Sequence, residues 1–140
     1  KVNFFSIFFL IQNFKIYLSK FKKKGSVVNV GSIVGQIGFK DLSAYASSKG
    51  ALISLTKSLA AELSSEGIRL NSISPGFTKT SFYKKFKKKK KLYHWTLSRI
   101  PMNRWGSADE ISKLISFLIS ENSSYINGEN INIDGGWLSS

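Results

Sequence analysis

The sequence predicts an α/β fold with a parallel sheet, and three observations carry that expectation. Helical and strand-like patterns alternate along the chain, in the order helix, strand, helix, strand, helix, strand, which asks for parallel strands joined by right-handed crossovers. Val27, Val28 and Val30 make the first strand apolar without alternation, so it belongs inside a sheet covered on both faces. Gly31 closes the first strand and Pro75-Gly76 stops the second, which puts tight turns at one rim of the sheet.

Each element has its own justification. Phe4, Ile7, Phe8, Ile11, Phe14 and Leu18 share one helical stripe, widened by Phe5 and Phe9. A stripe that broad reads as a helix buried on two sides, between the sheet and a partner subunit. Gly25 is expected to end this helix, and a strand over 26–32 to follow. Residues 33–42 carry closely spaced turn formers and read as loop. Leu52, Leu55, Leu59 and Leu63 step by three or four, predicting a helix over 43–64 that Gly67 closes. The stretch "IRLNSIS" is the next strand, ended by Pro75. From Phe77 to Gly106 the periodicity dissolves into a long, basic, irregular region. Ser107 and Glu110 in "SADE" form a capping box, opening an amphipathic helix marked by Ile111, Leu114, Ile115 and Leu118. The segment "GENINIDGG" reads as a turn, a short strand and a glycine turn.

Composition narrows the function classes. At 140 residues, one domain over 1–140 is the expectation, and the apolar fraction of 42% is ordinary for a globular chain. There is no cysteine, so disulfides are excluded. The one histidine, His94, reads as a loop residue, and no metal site is expected. The net charge is +13, yet seven of the 21 basic residues sit in 84–91 and four more in 20–24. Both lysine runs lie between patterned segments and read as solvated loop, not as a nucleic-acid surface. Only Phe86 interrupts the longer run, so no stacking platform for bases is spaced there. The apolar run 4–11 is far short of the ~20 residues that a membrane span needs. No nucleic-acid or membrane partner is expected, and the location is read as cytoplasmic.

The chemistry is concentrated in "SAYASSKGA", residues 43–51. Tyr45 and Lys49 are four apart and share one helix face. A phenol is a poor acid or base at neutral pH, and a neighbouring ammonium moves its pKa towards the working range. The small residues around them let a flat cofactor or another helix come close. Ser32 and Pro75-Gly76 end their strands at the same rim, where ligands bind in open α/β sheets. Taken singly, Tyr45 is more simply a packing tyrosine, Ser32 a turn serine and Thr80 a helix cap. The conjunction is what gives them weight.

The motifs "NVGS", "YASSK", "RLNSISPGFTKT", "RWGSADEIS" and "YINGENINIDGGW" together resemble the C-terminal half of the short-chain dehydrogenase/reductase family, over nearly every residue after Val2. The resemblance implies a Rossmann-like, doubly wound parallel sheet and a hydride transfer between NAD or NADP and a carbonyl/alcohol pair. It implies that Ser32 holds the substrate oxygen, Tyr45 is the general acid/base, and Lys49 bonds the nicotinamide ribose. Asn3 matches an asparagine that supports a water in the proton relay. Pro75, Gly76, Thr78 and Thr80 match the loop around the nicotinamide carboxamide, and residues 77–106 the substrate loop. Asp134-Gly135-Gly136 is read as a structural turn near a subunit interface.

The resemblance also suggests a small-molecule or carrier-bound carbonyl substrate and a homodimer or homotetramer. The pattern is most similar to 3-oxoacyl-acyl-carrier-protein reductases, with gluconate and sugar-alcohol dehydrogenases as the alternative. The family's glycine-rich phosphate loop and its second-strand selector for NAD or NADP are absent. The sequence therefore reads as a partial domain with one sheet edge uncovered, expected to bind dinucleotide negligibly by itself. A catalytically inactive subunit, pairing through its first two helices, is the rival from another class.

Overall fold

The computed structural model describes residues 4–140, and Asn3 lies outside them. Three parallel strands, β1 (Gly25–Val30), β2 (Ile68–Pro75) and β5 (Asn130–Ile133), form the main sheet in the order β1-β2-β5. A two-residue parallel pair, β3 (Thr78–Lys79) with β4 (Gly106–Ser107), stands apart. The helices are α1 (Phe5–Lys20), α2 (Ser43–Leu63), α3 (Ser81–Lys87), α4 (Lys90–Ser98) and α5 (Ala108–Ile119). The alternation in the sequence thus yields the parallel sheet it predicted.

Strand alternation assigns the helices to faces. Val27 packs with Leu70 against Ile11 and Leu18 of α1 and Leu59 and Leu63 of α2. Its neighbour Ser26 points the other way, and its hydroxyl donates to the Leu118 carbonyl of α5 at 3.0 Å. So α1 and α2 cover one face and α5 the other. β2 lies at the centre with Leu70, Asn71, Ser72, Ile73 and Ser74 fully buried. Its polar members are all paired, as burial requires. Asn71 donates to the Ile126 carbonyl, and the Ser72 and Ser74 hydroxyls both donate to Asn130 Oδ1, at 2.8 and 2.9 Å. This ladder welds β2 to β5. β1 pairs only with β2, so among the described residues its outer edge is unpaired.

Several boundaries differ from the sequence reading. α1 ends at Lys20, the chain reverses at Lys22 with φ 50°, and Gly25 opens β1 instead of closing the helix. Within the chain α1 is covered on the side of Ile11 and Leu18, while Phe5, Phe9, Ile16 and Tyr17 are exposed on the side that the sequence reading gives to a partner subunit. α2 stops at Leu63, and a 3-10 turn leads to Gly67, whose φ of 73° ends the helical run as expected. β1 stops at Val30, which leaves Ser32 beyond the strand and not inside it.

The larger correction concerns 77–106, which is not irregular. α3 and α4 form a helical hairpin, and the lysines at 84–91 lie mostly on its helices, exposed. His94 accordingly sits on α4 and not in a loop. The inward side carries Tyr83, Phe86, Tyr93 and Leu97, packed on buried Trp105, Ile100 and Trp137. Helices of seven and nine residues show too few turns for a period to stand out, and lysine is itself a good helix former. Trp105 anchors the hairpin by donating from Nε1 to the buried Thr96 hydroxyl at 2.9 Å. The capping box forms as read: Glu110 N–H donates to Ser107 Oγ and Ser107 N–H to Glu110 Oε2. Arg104 adds a two-pronged bond to the same carboxylate, at 2.6 and 3.0 Å.

Candidate active site

The carboxyl rim of the sheet holds a cavity of about 490 Å³. Ser32, Tyr45, Lys49, Pro75, Gly76, Thr78 and Thr80 all line it. Four separate segments deliver them: the turn after β1, the start of α2, the end of β2, and β3 with the residue after it. Two larger clefts, of about 600 and 570 Å³, open at the amino ends of the strands and carry none of these residues. The residues singled out in the sequence therefore gather at the smaller cavity.

Ser32 is placed by its own backbone. It is buried, extended at φ −168° and ψ 151°, and caps the 3-10 turn Ile33–Gly35 by accepting the Val34 N–H at 3.2 Å. That bond uses a lone pair and leaves the hydroxyl proton free to be donated. Gly31 N–H donates to the Ile73 carbonyl at 2.8 Å, holding the chain against β2 just before the serine.

Tyr45 and Lys49 sit one turn apart on α2 as read. The Lys49 ammonium lies 5.8 Å from the centroid of the Tyr45 ring and donates to the Val30 carbonyl at 2.7 Å. Burial pushes the Lys49 pKa below its ordinary value. Tyr45 remains 40% exposed and lines the cavity.

Two glycines dock the serine turn onto the tyrosine helix. A Cβ added to Gly35 would come within 2.8 Å of the Lys49 carbonyl carbon and 2.9 Å of the Gly50 nitrogen. One added to Gly50 would meet the Gly35 carbonyl oxygen at 3.0 Å. The small residue after Lys49 thus admits a neighbouring backbone turn. Gly35 entered the sequence reading only as a turn former, although a glycine inside a helix, as Gly50 is, signals close approach because it costs helix propensity.

The opposite wall is built from the end of β2 and the turn into β3. Gly76 N–H donates to the Ile133 carbonyl at 3.0 Å and the Thr78 hydroxyl to the Gly76 carbonyl at 3.1 Å. Thr80 occupies the cap position of α3 but makes no side-chain cap bond, so the simpler capping role does not apply. Asp134 accepts from the N–H groups of Gly136 and Leu138, both at 2.9 Å, which makes the Asp-Gly-Gly segment the structural turn expected. The sequence reading missed Phe39, Leu42 and Trp105, which complete the cavity wall. The first two lie in an aperiodic loop and the third at the end of the lysine-rich segment, where no spacing marks them.

Residues 1–138 match the family model described as enoyl-(acyl carrier protein) reductase. The chain is 41% identical over 96% of its length to a 3-oxoacyl-[acyl-carrier-protein] reductase of Thermotoga maritima, and covers 54% of that protein. It superposes with a TM-score of 0.96 on 4-hydroxyisoleucine dehydrogenase complexed with NADH, at 36% identity, covering 99% of this chain and 57% of the other. The same TM-score relates it to a candidate 2-deoxy-D-gluconate 3-dehydrogenase of Agrobacterium tumefaciens solved with NADP, at 34% identity over 99% of this chain and 56% of that one. The chain spans about half the length of these relatives. Motif, fold and rim geometry agree, and the chain belongs to the short-chain dehydrogenase/reductase family.

Proposed function

We propose that the protein is a nicotinamide-dependent oxidoreductase that interconverts a carbonyl and an alcohol, with Ser32, Tyr45 and Lys49 as its catalytic group. The observation that carries this reading is their convergence, from two elements locked together at Gly35 and Gly50, on one cavity. The donor set suits the cofactor: an ammonium and a phenol match ribose hydroxyls, and threonine hydroxyls beside a Pro-Gly turn match a carboxamide. Tyr45 and Lys49 would hold the ribose, and Pro75, Gly76, Thr78 and Thr80 the carboxamide of NAD or NADP. When bound, the nicotinamide supplies or accepts the hydride. The Ser32 hydroxyl donates to the substrate oxygen and fixes its position. Tyr45 passes the proton to that oxygen or takes it back. Lys49, anchored on Val30, keeps a positive charge beside the phenol during the transfer. Asn3, outside the described residues, is retained as the proposed relay residue.

Within that reading the substrate is a 3-oxoacyl group on a carrier. Support comes from the relative in Thermotoga maritima, which is named for that reaction. It comes also from the rim above the cavity, since residues 77–106 hold ten Lys and Arg and no Asp or Glu, a field that attracts an acidic carrier. A sugar-acid substrate is the second reading, favoured by the Agrobacterium neighbour. The exposed row Phe5, Phe9, Ile16 and Tyr17 on α1 supports pairing into a homodimer or homotetramer. Changing Tyr45→Phe tests the assignment: turnover with NADH or NADPH should fall about 10²–10⁴-fold, while subunit pairing, read by light scattering, stays as it was. A variant that keeps full turnover refutes the role of Tyr45. Wild-type protein that pairs but never turns over would point to the inactive pairing subunit.

A further inference from the structure

We infer that Phe39 and Leu42 read the arm of the substrate next to the reacting carbon, and that this arm is an apolar acyl chain and not a polyol; the inference rests on the oxidoreductase reading above. The cavity has few polar groups to spare. Its polar side chains are Ser32, Tyr45, Lys49, Thr78 and Thr80, together with the Trp105 indole. Lys49 donates to Val30, Thr78 to Gly76 and Trp105 to Thr96. Ser32 and Tyr45 are needed at a single oxygen, the one that changes oxidation state. A sugar acid brings a carboxylate and several further hydroxyls, and among the described residues the lining offers no arginine to take the one and little beyond Thr80 to pair the others. Polar groups left unpaired on closure are what such a wall rejects.

The apolar side of the cavity is built to fixed positions. Leu42 precedes α2 by one residue and Tyr45 by three. Its N–H donates to the Phe39 carbonyl at 3.3 Å, and its own carbonyl accepts the Ala46 N–H at 2.7 Å. Phe39 in turn is stacked on Trp137, with centroids 6.1 Å apart, and meets Trp95 edge-on at 6.3 Å. Leu42 nevertheless stays 38% exposed. A leucine held in one place beside the catalytic phenol, with its side chain uncovered towards the cavity, offers apolar area that a substrate arm can cover. Ile33, Val34 and Phe77 continue the surface inward.

The test uses the N-acetylcysteamine thioesters of 3-oxobutanoate and 3-oxooctanoate, with 5-ketogluconate as the polar competitor, and either reduced nicotinamide cofactor. The wild type should favour the eight-carbon thioester over the four-carbon one by about tenfold or more in kcat/KM, and both over the keto acid. Leu42→Ser should shrink the eight-to-four ratio about tenfold, and Leu42→Met should restore it. Binding of octanoyl-N-acetylcysteamine, followed by tryptophan quenching, should weaken in Leu42→Ser in the same proportion. Preference for the keto acid overturns the inference while leaving the oxidoreductase reading standing. So does a ratio unmoved by both Leu42→Ser and Phe39→Leu. Octanoyl binding that depends on Leu42, with no turnover of any carbonyl, upholds the pocket and overturns the oxidoreductase reading instead.

Discussion

The contact between Gly35 and the backbone of α2 makes a sharp prediction for Gly35→Ala. The new methyl would lie 2.8 Å from the Lys49 carbonyl carbon and 2.9 Å from the Gly50 nitrogen. Ordinary contact for such a carbon begins near 3.4 Å, so roughly 0.6 Å must be opened between two main chains, and no side chain can swing aside to supply it. Overpacking of this kind costs about 1–3 kcal/mol. With a urea m value of about 2 kcal/mol/M for a chain of this size, the unfolding midpoint should drop by about 1 M. Gly38→Ala is the internal control, because nothing lies within 4 Å of its added Cβ; its stability should stay within about 0.5 kcal/mol of wild type. Activity should fall in Gly35→Ala as well, since the same movement carries the turn of Ser32 away from Tyr45. Equal midpoints for the two variants would refute the claim that this glycine pair docks the serine turn onto the helix.

Two further predictions concern the rim. The Arg104 guanidinium and the Ser107 N–H hold the Glu110 carboxyl down to about 2 from an ordinary 4.5. A carboxylate with a lowered folded pKa stabilises the fold fully above pH 4.5 and loses that contribution as pH falls towards 2. Wild type should therefore exceed Glu110→Gln in urea midpoint at pH 6, with the gap closing between pH 4.5 and 2; a gap that does not change with pH would count against the ion pair. Trp105→Phe removes the donor to buried Thr96 at a cost of about 1–3 kcal/mol. Its melting temperature should fall by several degrees, and Thr96→Val combined with it should add little further, because both remove one bond.

The sequence made legible what depends on local pattern. The alternation of periods specified the parallel sheet, the step of Leu52, Leu55, Leu59 and Leu63 the central helix, and Ser107 with Glu110 the start of α5. Ser32, Tyr45 and Lys49, which the structure brings to one cavity, could be named as candidates because strand ends and an i, i+4 pair are both local features. The α3–α4 hairpin was hidden because each helix is short and its inward residues are aromatics separated by lysines. Phe39, Leu42 and Gly35 escaped for another reason. Their roles come from contacts with residues far along the chain or with a cavity, and nothing in their own neighbourhood records it. The exposed side of α1 shows the same limit in reverse: its stripe was visible, but not which part of it the chain itself would cover.

The bond from Lys49 to Val30 has a consequence for the sheet as well as for the site. Gly31 turns its N–H towards β2, so by strand alternation the Val30 carbonyl faces the unpaired edge of β1. The ammonium therefore stands at the last position along which another strand could be added. A strand annealing to that edge can run beside Gly25–Val30, but at its end it meets a fixed positive charge where it needs a free acceptor. Lys49 is in this sense an end stop that sets how far the sheet can be extended, and its orientation is tied to whatever lies along β1.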